Sequence, residues 1–393
     1  MDLELISIIV VYSIVFLLIY KNRKKFQVMD KIFFVYKNNK IINYFEKLAS
    51  CTWLWKIIST IGIIICFYFI IFSINMFIQS SIYIINTLNP EPTVSLLIPG
   101  VTKDPLTGET IPIIDLFLIL GIIIIVHESM HGIIGISEKI KMKSAGLGLL
   151  AVIPMAFVEP DQKSYENAKK ISKLRMLIAG SLGNLILAFT VILISGFLLS
   201  PFISSNIIYS NLSIIAITGL PANISGIPAN VSLYSVGEYT TSNASDLYKA
   251  LALIPINETI NITTSNGTFL IKTIKSPYYE NMSYLGITVA NDWDYSSNLS
   301  NVEILGVRIL IRILKFLNLL ANLSLSIGII NLFPLWITDG GKVVLELIEP
   351  IIKDKKKSMI IANYLYIFCL ILLLFNLFGP YLINFYTAIK PLI

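Results

Sequence analysis

Six stretches of the chain are almost unbroken apolar runs: roughly Leu5–Tyr20, Ile57–Gln79, Ile111–Ile136, Leu174–Leu199, Leu314–Phe333 and Met359–Phe378. A helix of about 20 apolar residues crosses the hydrocarbon of a bilayer, and all but the short first run reach that length. Between the fourth and fifth runs, residues 201–300 become rich in Asn, Ser and Thr, with turn residues and short strand-like alternations. The pattern predicts a polytopic α-helical membrane protein of about six transmembrane helices, carrying an inserted β-rich domain.

Composition agrees. Hydrophobic residues are 55% of the chain and charged residues 14%, against about 25% charged in a soluble globular protein. The net charge of +6 raises the question of nucleic acid, and its distribution answers it. Asp2 and Glu4 precede the first run and Lys21-Asn22-Arg23-Lys24-Lys25 follow it, which reads as an anchor with its amino terminus outside rather than a cleaved signal peptide. Alternation from there puts residues 21–56, about 139–173, and 342–357 in the cytoplasm. With Arg175 at their edge these regions hold 22 of the 30 Lys and Arg residues. Such a bias sets topology in a lipid bilayer, here expected to be the cell (plasma) membrane, and implies no nucleic-acid partner. Arg308, Arg312 and Lys315 run against it, on an outer stretch leading into the fifth run. Cys51, Cys66 and Cys369 form no ligand or disulfide pattern.

The chain's two histidines stand in one motif inside the third run, His127-Glu128-Ser129-Met130-His131. Residues i and i+4 share a helix face, so both imidazoles reach one metal ion, and the glutamate between them can serve as general base toward a water there. A surface helix would explain such residues as solvated decoration. This helix is apolar all round, and its polar groups need partners that a metal supplies. Two histidines leave a tetrahedral zinc site one protein ligand short. Asp339 is the best candidate for the third, after the fifth run in Asn331-Leu332-Phe333-Pro334-Leu335-Trp336-Ile337-Thr338-Asp339-Gly340-Gly341. There Pro334 breaks the helix, and the glycines permit close approach of neighbouring backbone.

Nine of the eleven Asn residues in 201–300 begin N-x-[ST]: Asn211, Asn223, Asn230, Asn243, Asn257, Asn261, Asn266, Asn281 and Asn298. They are glycosylation candidates, and they place this domain outside the cell, in agreement with the charge-derived topology. Within it Gly226-Ile227-Pro228-Ala229 precedes a strand-like run, Val231–Val236, and a turn at Gly237. A helix, Ser245–Leu251, and strand-like runs at Glu258–Thr264 and Thr268–Ile274 follow. This order resembles a PDZ domain, which would bind peptide by adding a strand to its edge or act as a size filter.

With both motifs in view, the chain resembles the site-2 protease family of intramembrane zinc metalloproteases. That family pairs H-E-x-x-H with a later N-x-x-P-x-P-x-x-D-G; Asn331, Pro334, Asp339 and Gly340 match, whereas Trp336 replaces the second proline. Gly146-Leu147-Gly148 and Ala156–Asp161 resemble the family's membrane-associated β segment. Ala179-Gly180-Ser181-Leu182-Gly183-Asn184 resembles its A-G-P-x-x-N stretch. The resemblance implies one Zn2+ per chain on His127, His131 and Asp339, Glu128 as catalytic base, and Asn184 near the catalytic centre, holding substrate or the oxyanion or packing a helix. It implies hydrolysis of peptide bonds within or near the transmembrane segments of single-span proteins or signal-peptide remnants. Two other classes use related residues. A zinc transporter would need more than one polar span and no glutamate between the histidines, and a PDZ-type scaffold would need no water-activating trio.

The expected organisation is an N-terminal membrane region (1–110), a first catalytic half (111–200), the PDZ-like domain (201–300), a second catalytic half (301–350) and a C-terminal span (351–393).

Overall fold

A computed structural model describes residues 26–29, 33–86, 110–150 and 153–389, apart from 218, 229, 230, 277, 278, 280, 281 and 297, together with positions 13, 21, 94 and 97. Nearly all of the first apolar run and the sequons at Asn230 and Asn281 lie outside them. The chain divides into two compact units, residues 1–194 with 315–393, and residues 195–314.

The helices that carry the first unit are α1 (Asn39–Ala49), α2 (Thr52–Asn86), α3 (Ile113–Ser137), α4 (Lys170–Ile194), the latter part, from Lys315, of α5 (Asn301–Leu332), α6 (Asp339–Ile352) and α7 (Lys355–Ile389). Among the described residues four helical stretches are long and apolar enough to cross a membrane: Thr52–Asn86, Ile113–Ser137, Lys170–Ser204 and Lys355–Phe385. They contain the second, fourth and sixth predicted runs and all of the third but Ile111 and Pro112. The fifth run falls in the latter part of α5 and is not among the four; Asn318, Asn322 and Asn331 interrupt its apolar residues. α5 starts where Ser300 and Glu303 form a reciprocal capping box, the Ser300 amide donating to Glu303 Oε2 at 2.8 Å.

The helices pack through several apolar clusters, two of which surround the centre of the unit. Cys66 and Ile70 of α2 meet Ile178, Leu182 and Leu185 of α4 and Val343 of α6. Leu116, Ile119 and Ile123 of α3 meet Val191 of α4 and Leu319, Leu320 and Leu323 of α5. Among lipid-like side chains a hydrogen bond adds what apolar contact cannot. Asn376 of α7 donates from Nδ2 to Ser81 Oγ at 2.8 Å and to the Phe77 carbonyl at 3.1 Å, tying α7 to α2. At the other end Arg175 of α4 pairs with the buried Glu138 that follows α3, at 2.7 Å. Cys66 and Cys369 are buried, and all three thiols are free.

Beside the helices lies an antiparallel sheet of β1 (Phe26–Met29), β2 (Phe33–Lys37), β3 (Met142–Leu150) and β4 (Ile153–Pro160), in that order. The β3–β4 hairpin contains the predicted β segment. The β1–β2 hairpin, from the basic 21–56 region, was not predicted; it covers the far edge of β3 and, among the described residues, leaves β4 as an edge strand. Ser144 and Lys143 of β3 bond Glu159 of β4. The Lys143 hydrogen bond, then that of Ser144, holds the Glu159 carboxyl below its ordinary pKa, so this surface cross-strand contact weakens as acid protonates it.

The second unit is a small β domain. Its strands are β5 (Ile207–Ala216), β6 (Val231–Val236), β7 (Tyr239–Thr240), β8 (Thr259–Thr264), β9 (Gly267–Lys272), β10 (Ile274–Lys275), β11 (Ser283–Tyr284) and β12 (Ile287–Tyr295). The main sheet runs β12-β5-β6-β8-β9, with β7 on β6. Gly237 takes φ +61° at the β6–β7 turn. The helix Ala244–Leu253 is capped by Asn243, whose side chain accepts from the Asp246 amide at 3.0 Å. Its Leu247 and Leu251 close a core with Leu212, Leu233, Ile262 and Ile271. The predicted runs all form strands; the long β5–β12 pair is what the sequence reading lacked. Asn223, Asn257, Asn261, Asn266 and Asn298 are exposed, whereas Asn243 is half-buried in its cap.

Candidate metal centre

Helix α3 brings His127 and His131 to one face, as the i, i+4 spacing requires, with Glu128 about 100° round from His127. Asp339 comes from 208 residues away, at the first turn of α6. Its approach depends on the chain reversal between α5 and α6. Pro334 cannot continue a helix. Thr338 then ties the turn: Oγ1 donates to the Phe333 carbonyl at 2.7 Å and accepts from the amides of Leu335 at 3.1 Å and Gly341 at 3.3 Å. A Cβ on Gly340 would lie 1.9 Å from the Leu332 carbonyl oxygen, so only glycine fits. Trp336, where a proline was expected, fixes the path by contact: its Nε1 donates to Asn363 Oδ1 at 2.9 Å and its ring meets Tyr366 edge-on. Thr338→Val keeps the shape and removes the ties. It should cost about 1–2 kcal/mol, read as a lower midpoint in detergent thermal unfolding.

Three atoms converge. The Nε2 atoms of His127 and His131 are 3.2 Å apart, and each is 3.2 Å from Asp339 Oδ2. Zinc bonds of about 2.0–2.1 Å at tetrahedral angles place neighbouring ligand atoms about 3.3 Å apart. The trio therefore fits three corners of a zinc site, and among the described residues it is the one cluster of three or more His, Cys, Asp or Glu residues able to hold a metal ion. All three side chains are largely buried.

Helix α4 backs the two rings. The Met176 carbonyl lies 2.7 Å from Nδ1 of His131, which sets that ring's proton on Nδ1 and frees Nε2 for a metal. One helical turn on, Gly180 faces both Nε2 atoms. One turn further, Asn184 is fully buried with its carboxamide 3.2 Å from Nδ1 of His127. Glu128 turns toward the sheet, where its Oε2 accepts from the Val158 amide at 3.1 Å. A cleft of about 1000 Å³ runs past these groups, lined by Phe157 and Val158 of β4 and by Asn331. Tyr165, Lys173 and Glu346 mark a polar part of its wall, where burial, then Glu346 and Glu349, pushes the Tyr165 phenol up.

The structure thus brings His127, His131 and Asp339 together, with Glu128 and Asn184 beside them. Sequence reasoning missed the supports: the Met176 carbonyl and Val158 amide are backbone groups that no side chain advertises, and Gly180 acts by lacking one.

Apolar helices long enough to cross a membrane thus enclose a His-His-Asp cluster able to hold a metal ion, with a glutamate beside it: the class is that of a helical protein with a candidate metal site. The sequence profile described as Peptidase family M50 matches residues 115–375, and the chain belongs to that family, the site-2 proteases. An uncharacterized protein of Methanocaldococcus jannaschii is 31% identical over 186 residues, 47% of this chain and 49% of that protein. A Lactococcus lactis protein described as a putative zinc metalloprotease is 50% identical over 46 residues, 11% of each. The chain thus aligns with about half the length of the first of these relatives and a smaller part of the second.

Proposed function

We propose that this protein is an intramembrane zinc metalloprotease, hydrolysing peptide bonds within or near the transmembrane segments of single-span proteins. The observation that carries the reading is the 3.2 Å convergence of His127, His131 and Asp339 among apolar helices, beside Glu128. These three residues would hold one zinc ion, which when bound lowers the pKa of a water and polarises the scissile carbonyl. Glu128 takes the proton of the attacking water at its carboxylate and delivers it to the leaving amine. Asn184 stands beside the metal ligands. A helical substrate has its backbone groups paired internally and must unwind first. The outer edge of β4 suits it, since an extended segment can pair there beyond the Val158 amide that Glu128 holds, while the cleft takes its side chains.

The same reading has six spans in the plasma membrane, with the amino terminus and the glycosylated PDZ-like domain outside. The latter part of α5 would serve as the fifth span, with Asn322 and Asn331 half-buried against protein and Asn318 exposed. The positive-inside distribution supports this topology. Substrates would be proteins already trimmed outside, or signal-peptide remnants.

The purified protein should cut a single-span model substrate shortened outside, and mass spectrometry should place the cut in or near the span. Chelation should abolish cleavage and added Zn2+ restore it. Zinc-loaded protein that cuts none of several such substrates, yet moves zinc across vesicle membranes, would overturn the reading in favour of transport.

A further inference from the structure

We infer that Asn184 is a positioning residue for His127, its carboxamide oxygen accepting the Nδ1–H of that ring. The inference rests on the metal-site reading and starts from a mismatch. In the structure the Asn184 Nδ2 faces His127 Nδ1 at 3.2 Å, while Oδ1 is buried with no partner among the described residues. His127 points its Nε2 at His131 and Asp339. A neutral imidazole that binds a metal through Nε2 carries its proton on Nδ1, so an amide N–H2 there would set donor against donor. The two ends of a carboxamide are nearly identical in shape, and exchanging them puts the oxygen on the Nδ1 proton. One amide atom lacks a partner in either orientation; the proton that metal ligation places on Nδ1 decides which.

The surroundings agree. His131 already has this arrangement, with the Met176 carbonyl as acceptor at 2.7 Å. Met176, Gly180 and Asn184 stand at i, i+4 and i+8 on α4, one face of one helix. The outer two orient the two rings and the middle one makes room for them. Asn184 is itself held in place. Ser324 Oγ of α5 donates to its main-chain carbonyl at 2.8 Å, and Gly328 of α5 packs against its Cβ. Of the two ring acceptors, this one alone belongs to a side chain and can be changed by substitution. An oxyanion or substrate role would need Asn184 as a donor; the positioning role needs an acceptor.

The test compares wild type, Asn184→Asp and Asn184→Ala. Zn2+ affinity is measured against a chromogenic chelator, and the visible spectrum of Co2+-loaded protein reports ligand geometry. Wild-type zinc binding tests the metal-site reading; differences among the variants test Asn184. Asn184→Ala should weaken zinc about 10–100-fold and alter the cobalt bands. Asn184→Asp, an acceptor that cannot donate when ionised, should hold zinc within about threefold of wild type with wild-type bands. If the alanine variant does not fold, Asn184→Asp alone decides. Loss of zinc or a changed cobalt spectrum in that variant would overturn the assignment. So would wild-type zinc affinity in a folded Asn184→Ala.

Discussion

Glu128→Gln should leave zinc content unchanged and lower kcat by about 10²–10⁴, which is what a positioned general base contributes. That factor corresponds to about 2.7–5.5 kcal/mol of transition-state stabilisation. The substitution suits the question because it changes so little else. A carboxamide keeps the size of the side chain and retains an oxygen to accept from the Val158 amide, the bond Glu128 makes at 3.1 Å. It has no lone pair basic enough to take a proton from water near neutral pH. Glu128 is not one of the three converging ligand atoms, so metal affinity should not follow activity down. The measurement pairs zinc content by mass spectrometry with single-turnover cleavage of a span-containing substrate. A Glu128→Gln protein that cuts at the wild-type rate would remove Glu128 from the chemistry.

Gly180→Ala should fold and fail to hold metal. A Cβ there would lie 2.3 Å from His131 Nε2 and 2.4 Å from His127 Nε2, inside any tolerated contact. The rings can swing away, since they are side-chain ends rather than backbone, and this predicts a folded protein. Swinging moves both nitrogens off the 3.2 Å triangle with Asp339. Zinc tolerates displacements of a few tenths of an ångström and no more. Metal affinity should fall by about 100-fold or further, and cleavage with it. Chelator competition gives the affinity, and thermal unfolding of the apo forms separates loss of metal from loss of fold. Near-wild-type zinc affinity in this variant would mean that the two histidines do not meet the metal against α4.

The site was legible in the sequence to an uneven degree. His127, Glu128 and His131 could be placed because four residues of helix is a local geometry, fixed by 3.6 residues per turn wherever the helix lies. Asp339 was reachable because proline and glycine announce a reversal, and Gly340 proved to sit where no side chain fits. Trp336 shows the limit. The expected proline would have shaped the turn by restricting φ, and the tryptophan shapes it through a hydrogen bond to Asn363 that only folding supplies.

The sequence by itself determined where apolar runs lie, between which of them positive charge collects, and that two imidazoles and a carboxylate share one turn of α3. These follow from hydrophobic transfer and helical period, both readable over a few residues. The tertiary structure decided the rest. It set Asp339 against the histidines, laid the Met176–Gly180–Asn184 face of α4 behind them, gave Glu128 the Val158 amide, and added β1 and β2 to the sheet. Each of these joins segments distant in the chain through a backbone group, a missing side chain or an edge. Their identity depends on where the backbone passes, which packing of the whole chain decides.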